Sequence, residues 1–211
     1  MIFQLSHKEI IFPDPSLAEE DGLLAVGGDL GTERLLLAYH TGIFPWYCND
    51  EPICWYAPHE RCVIFPKDIH VSRSMQKLMH QNKFSITMDT AFKKVIAHCK
   101  NIQRKDQPGT WITDEMEAAY TKLYEAGIAH SIEVWEGKDL AGGIYGLHVN
   151  DVFCGESMFS EKANASKAAM IWLCKTDLYS LIDCQIPNDH LISMGAIIIS
   201  REKYMKILHT A

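Results

Sequence analysis

Three apolar runs follow one another between residues 131 and 159: SIEVW (131–135), LAGGIYGLHV (140–149) and VFCGESMF (152–159). Only EGKD and ND separate them. Links of that length let consecutive strands pair only with their immediate neighbours, so the segment predicts an antiparallel meander. The rest of the chain must cover the faces of that sheet. Upstream, VSRSMQKLMHQN (71–82) reads as a helix with Ser72 as its N-cap, FSITM (84–88) as a strand and TAFKKVIAHCK (90–100) as a helix. TDEMEAAYTKLYEAG (113–127) is the clearest helix: Thr113 can cap it, Asp114 and Glu115 suit its dipole, and Gly127 stops it. Downstream, NASKAAMIWLCKTDLY (164–179) predicts a helix, LIDCQI (181–186) a strand, PNDHLISM (187–194) a short helix and GAIIIS (195–200) a last strand.

The first 60 residues look different. FPDPS, VGGDL, GIFPWY and EPICWYAP are turn signals, and ERLLLAYHTG (33–42) is the one helical stretch, with Gly42 placed to end it. Residues 1–61 therefore predict a small loop-rich N-terminal lobe, and 62–211 a mixed α/β (α+β) domain. The order β-α-α-β-β-β-α-β-α-β resembles that of the N-acetyltransferase-like (GNAT) fold, a mixed sheet flanked by helices whose cleft takes an acyl carrier. Fold-level analogy fixes no substrate. The Q/R-x-x-G-x-G/A loop with which acetyl-CoA members cradle pyrophosphate is missing from the chain.

Composition excludes several classes. With 47% hydrophobic and 22% charged residues, a chain of 211 can bury a real core. No apolar run reaches the ~20 residues needed to span a bilayer, and the N-terminus does not read as a signal peptide. The seven cysteines lack C-x-x-C spacing, and Cys48, Cys54 and Cys62 have no histidines at zinc-site spacing. They predict reduced thiols in a cytosolic protein. The net charge of −7 argues against a general nucleic-acid binder, but it is unevenly spread. Residues 62–105 hold 9 Lys+Arg against 2 Asp+Glu, while 1–61 hold 3 against 10 and 106–211 hold 8 against 15. Charge alone supports either a solvated lysine-rich face or a local patch for a polyanion.

Glu156 is the residue that asks for chemistry. It stands among glycine, sulfur and aromatic side chains in FCGESMFS, where burying an unpaired carboxylate is costly. On a regular strand Glu156 and Met158 share one face, Phe153 and Phe159 the other. Pairing with a lysine such as Lys162 is the structural alternative to a place in a site.

The chain resembles the bacterial leucyl/phenylalanyl-tRNA–protein transferases. The resemblance is carried by GLLAVGGDL (22–30), RLLLAYHTGIFPWY (34–47), TWIT (110–113), AYTKLYEAGIAHSIEVW (119–135), LAGGIYGL (140–147), FCGESMFS (153–160), NASKAA (164–169), LIDCQ (181–185) and HLISMGA (190–196), in the family's order. It implies transfer of leucine, phenylalanine or, less readily, methionine from a charged tRNA. The acceptor is the α-amine of a protein beginning with Arg or Lys, and the product enters the bacterial N-degron route. It also implies no metal or free cofactor. A cytoplasmic monomer without membrane contact is the expectation.

The resemblance carries roles to individual residues. Asp183 is expected to polarise Gln185, with Gln185 near the attacking amine; two apart on a strand, they should share a face. Since α-amines have pKa values of about 7.7–8.0, juxtaposition and proton handling suffice and no strong base is required. Glu156 is placed at the site, either pairing with the cationic acceptor or hydrogen-bonding the aminoacyl α-amino group. Trp46, Trp111, Phe153 and Met158 are the candidates for the apolar aminoacyl pocket, which should lie between the lobes. For tRNA, Arg73 and Lys77 at i and i+4, Lys83 and Lys167 are the candidates, backed by Lys93, Lys94, Lys100, Arg104 and Lys105. WYAPHER (55–61) departs from the family's usual WWSPDPR at Tyr56, Ala57, His59 and Glu60. Two other functions compete. An acyl-CoA transferase on the same scaffold would need the missing pyrophosphate loop. A non-catalytic tRNA or N-terminal-residue binder would not need ESMFS and IDCQ intact.

Overall fold

The computed structural model describes residues 2–49, 51–102 and 111–210. Arg104, Lys105 and the first residue of TWIT lie outside them. The N-terminal part is less loop-like than its turn signals suggest. It contains β1 (Phe3–Leu5), β2 (Leu23–Gly27), α1 (Thr32–His40), β3 (Phe44–Pro45) and β4 (Cys54–Tyr56). The strands form a four-stranded sheet in the order β1-β2-β4-β3, with β1 and β2 parallel. Strands of two to five residues are too short for alternation to be legible. α1 ends as expected: Gly42 takes φ +73°, and a Cβ there would sit 2.6 Å from the Met205 sulfur.

The larger part begins with β5 (Glu60–Ile64), which the sequence pattern did not reveal, then α2 (Arg73–His80) and β6 (Ser85–Met88). It continues through α3 (Phe92–Asn101), α4 (Asp114–Glu125), β7 (Ala129–Glu136), β8 (Asp139–Val149), β9 (Val152–Ser160), α5 (Ala165–Cys174), β10 (Leu181–Gln185), α6 (Asp189–Ser193), β11 (Ile197–Ser200) and the unanticipated α7 (Arg201–Thr210). The seven strands order as β11-β5-β10-β9-β8-β7-β6. The meander β7-β8-β9 is present and antiparallel. The sole parallel pair of this sheet among the described residues, β9 with β10, is joined through α5. Ser72 and Thr113 cap α2 and α4 by accepting the backbone N–H groups of Met75 and Met116.

Helices cover both faces. On one side, Ala165, Ala168, Met170 and Leu173 of α5 and Met75 of α2 pack on Ile132, Ile144, Phe153 and Ile182. On the other, Phe92, Val95, Tyr120 and Leu123 of α3 and α4 join Leu35 and Tyr39 of α1 and Tyr204 and Leu208 of α7. Leu24, Ala25 and Trp55 of the N-terminal sheet belong to this second cluster, so a continuous core joins the two sheets. Burying each such large apolar side chain contributes roughly 1.5–3 kcal/mol.

Two irregularities fall at the same level of the large sheet. Opposite β8, Tyr145 pairs with Ser157 and Gly146 with Gly155, leaving Glu156 as an extra residue in β9. Opposite β5, Asp183 pairs with Val63 and Gln185 with Cys62, leaving Cys184 extra in β10. The parallel pairing of β9 and β10 runs only from Val152 to Cys154 against Leu181 to Asp183. Beyond it the strands part. Bulges re-aim side chains and end pairing, and here two of them open the sheet.

Candidate active site

The bulge corrects the expected facing of β9. Phe153 and Met158 belong with the cluster beneath α5, whereas Phe159 lies in the cluster on the opposite face. Glu156 points to that opposite face, since its partners are on α1 and α4. The carboxylate is buried, 8% exposed. Tyr39 donates to Oε1 at 2.6 Å, Tyr120 to Oε2 at 2.9 Å, and the Gln185 carboxamide Nε2 to Oε1 at 2.7 Å. The two tyrosine hydroxyls also contact each other. Two hydroxyl protons cannot serve all three contacts of the triangle formed by Tyr39, Tyr120 and the carboxyl group. With a proton on Oε2, Glu156 would donate to Tyr120, Tyr120 to Tyr39 and Tyr39 to Oε1, and all three contacts would be served. Burial, the largest influence, together with nearby Asp183, raises the Glu156 pKa to about 7 against the bonds from Tyr39, Tyr120 and Gln185.

Asp183 is fully buried and differently held. Arg61 Nε reaches both its oxygens at 3.0 and 3.1 Å, and Tyr204 donates to Oδ2 at 2.9 Å. The backbone N–H of Gln185 donates to Oδ1 at 2.8 Å. The shared face expected for Asp183 and Gln185 is therefore lost to the bulge. Gln185 sits at φ +60°, its backbone facing Asp183 while its carboxamide turns to Glu156. Arg61 itself lies between the Phe44 and Tyr204 rings, 4.8 and 4.6 Å from their centroids. Its Nη1 donates to Gly42 O at 3.2 Å. Burial, the largest single influence, opposes its charge, but Asp183, Tyr204 and Cys154 together outweigh it and raise the pKa above the ordinary value. The Tyr204 hydroxyl is raised well above its ordinary pKa by burial first and Asp183 second.

Sequence reasoning missed Tyr39, Tyr120, Arg61 and Tyr204. The tyrosines occupy ordinary apolar positions of their helices and carry no local mark. Arg61 offered one signal, a charge directly heading the apolar run CVIF.

Glu156 and Gln185 line two clefts. The larger, about 580 Å³, is walled by Ile144, Met158, Met170, Ile182 and Leu191. The smaller, about 300 Å³, lies beside β3 and the end of β10, against Phe44, Trp46, Trp111, Ile186 and Asn188. The four expected pocket residues are thus divided. Met158 lines the larger cleft, and Trp46 and Trp111 the smaller. Phe153 lines neither: its ring is fully buried, packed 5.3 Å from Tyr179 and close over Gly146. It is a core residue. The divergent 55–61 stretch contributes indirectly, with Tyr56 packed 5.6 Å from Trp46 and the Ala57 carbonyl bound by Arg201.

The basic block is partly neutralised by folding. Lys83 meets Glu136 at 3.3 Å, Lys93 meets Glu125 at 3.0 Å, and Lys100 bridges Asp114 and Glu117. Arg73 and Lys77 are exposed on α2 with no ion-pair partner among the described residues. Lys167, half-buried in the first turn of α5, stands near His190 of the larger cleft; burial and then the Lys167 charge hold the His190 imidazole below its ordinary pKa. Among the described residues no helix is long and apolar enough to cross a membrane. Nor do three or more His, Cys, Asp or Glu residues among them gather where they could hold a metal ion.

Residues 63–209 match the family described as leucyl/phenylalanyl-tRNA protein transferase, and residues 28–59 match its N-terminal domain. The chain is 52% identical over 204 residues to the leucyl/phenylalanyl-tRNA–protein transferase of Syntrophus aciditrophicus, covering 95% of this chain and 85% of that protein. It is 50% identical over 204 residues to that of Flavobacterium psychrophilum, covering 95% and 97%. Among solved structures, a functionally unknown conserved protein from Staphylococcus epidermidis aligns with a TM-score of 0.46 at 7% identity, over 84% of this chain and 68% of that one. So slight a likeness carries no argument about the fold. The family matches at both ends of the chain, and the high identity along nearly all of it, establish that the chain belongs to the leucyl/phenylalanyl-tRNA protein transferase family.

Proposed function

We propose that this chain transfers leucine, phenylalanine and, less readily, methionine from aminoacyl-tRNA to the α-amine of proteins beginning with Arg or Lys, forming a peptide bond that marks them for N-degron degradation. The names of its relatives support the donor and the reaction type. The observation that carries the reading further is the pair of clefts sharing Glu156 and Gln185. The larger, apolar cleft suits the aminoacyl side chain. The smaller, flanked by Trp46 and Trp111, suits a flat base, and base–aromatic stacking is worth about 1–3 kcal/mol. A 3′-terminal adenosine in one and the side chain in the other leave the ester beside Gln185.

The chemistry then needs little force. Aminolysis of an ester runs downhill, and holding the two reactants together supplies most of the barrier reduction. In this reading the Gln185 carbonyl oxygen orients the incoming amine. Its Nε2 is committed to Glu156, which fixes the carboxamide. Discrimination among apolar side chains comes from shape against Met158, Met170 and Ile144, about 1–3 kcal/mol per methylene. Arg73, Lys77 and Lys167 are the residues offered to tRNA phosphates. Lys83 contributes less, because Glu136 already neutralises it.

A two-part division belongs to the same reading, supported by the two sheets and by family matches at 28–59 and 63–209, with the boundary before β5 at Glu60, since the expected cut between 61 and 62 falls inside that strand. So does the GNAT-like scaffold, supported by a parallel strand pair that parts beside the clefts. We take the working form to be a cytoplasmic monomer that uses no cofactor.

Two peptides differing only at residue one, Arg or Ala, would be incubated with the protein and leucyl-tRNA, then weighed by mass spectrometry. One leucine gained at the α-amine of the Arg peptide alone is expected. Leucine on both peptides would remove the acceptor rule, and leucine on neither would remove the activity.

A further inference from the structure

We infer that Arg61 and Tyr204 are positioning residues for the transfer reaction, acting through Asp183 on the conformation of Gln185. The inference rests on the reading that Asp183 and Gln185 serve that reaction. A fully buried carboxylate must be satisfied on both oxygens. Oδ1 of Asp183 takes Arg61 Nε and the Gln185 backbone N–H, and Oδ2 takes Tyr204 and the same Arg61 nitrogen. The carboxylate cannot rotate without breaking one of these bonds.

What that rigidity holds is Gln185. A glutamine at φ +60° is in a left-handed conformation that non-glycine residues adopt at a cost. The 2.8 Å bond from its N–H to Asp183 stabilises it there. In that conformation the side chain leaves the Asp183 side of the strand and lines both clefts. Relaxation toward extended backbone would reverse its facing and withdraw the carboxamide from Glu156.

Neither partner of Asp183 lines either of the two clefts that Gln185 lines. Both are buried, and they come from distant places: Arg61 from β5, Tyr204 from α7. Arg61 is in turn fixed between the Phe44 and Tyr204 rings and by Gly42 O. The charge of Arg61 makes the burial of Asp183 tolerable, and its direction sets the plane of the carboxylate. Tyr204 closes the second oxygen.

Tyr204→Phe keeps the ring over Arg61 and removes one hydrogen bond, so it should fold. We expect kcat with leucyl-tRNA and an Arg peptide to fall about tenfold, roughly 1.4 kcal/mol in the barrier. KM for both substrates should stay within twofold, since no substrate contact is lost. Asp183→Asn should lower kcat far more. Added to Asp183→Asn, Tyr204→Phe should cost less than about twofold further, because its effect passes through the group already changed. Arg61→Lys, which keeps the charge and loses the fork, should lower kcat at least as much as Tyr204→Phe at unchanged KM. Wild-type kcat in Tyr204→Phe, or a tenfold cost that persists in the Asp183→Asn background, would overturn the inference while leaving the role of Asp183 intact. Full activity of Asp183→Asn alone would overturn the reading beneath it.

Discussion

Replacing Glu156 by glutamine tests the proton count at the centre of the site. The carboxyl group has an ordinary pKa of 4.5 and a folded value of about 7. The folded state therefore binds more protons than the unfolded chain between those values. Stability from this group is fully present below the unfolded pKa and is lost as pH rises through about 7. Integrating the linkage between pH 5 and pH 8 gives a loss of about 2–3 kcal/mol in the wild type. Glutamine cannot ionise, so Glu156→Gln lacks this loss. The groups facing the site, Tyr39, Tyr120, Gln185 and Asp183, are common to both proteins and largely cancel. The variant's amide can still accept from one tyrosine and donate to the other, so it should fold. Urea unfolding of both proteins at pH 5, 6, 7 and 8 gives the comparison. The stability of Glu156→Gln relative to wild type should rise by about 2–3 kcal/mol from pH 5 to pH 8, mostly below pH 7. A difference constant across that range would show that Glu156 is ionised throughout. The three contacts of the triangle would then be served by two protons, and the reasoning would fail.

Phe153→Ala should cost about 3–5 kcal/mol in unfolding free energy, as a buried ring leaves a cavity. KM for leucyl-tRNA should stay within twofold in steady-state kinetics, which separates a core role from a pocket role. Reversing the charge of Arg73 and Lys77 together should weaken tRNA binding and reduce the slope of log K against log salt by about 2. An unchanged slope in filter binding would remove both residues from the tRNA surface.

The regular elements were legible where their periodicity was long. The meander, the Thr113-capped helix and the order of elements from residue 84 to 200 all follow from apolar period and turn residues. β5 escaped because five residues between turn-rich segments show too little alternation, yet it lies between β10 and β11 in the large sheet. α7 escaped because REKYMKILHT carries few apolar residues, and only Tyr204 and Leu208 are buried. The site was legible in part. Glu156 announced itself as a carboxylate in an apolar strand, whereas Asp183 and Gln185 came from the family resemblance. Their mutual geometry was not legible, because each strand carries an extra residue at the decisive point, and a one-residue slip reverses facing. The basic block is weaker in the fold than along the chain for a related reason: charge along the chain is not charge in space, and α4 brings Asp114, Glu117 and Glu125 against α3.

The ties that build this site also fix when it can form. Tyr39 meets Glu156 across 117 positions of chain, and Arg61 meets Asp183 across 122. Loops of that length close late, after local helices and the meander have formed. Tyr204 stands near the C-terminal end of the described chain. During synthesis, β7, β8 and β9 emerge long before the helix that closes Asp183. A nascent chain can therefore hold a formed sheet while its Gln185 is still free to turn. Competence should appear as one of the last folding events, with the Gln185 amide gaining exchange protection only when α7 docks.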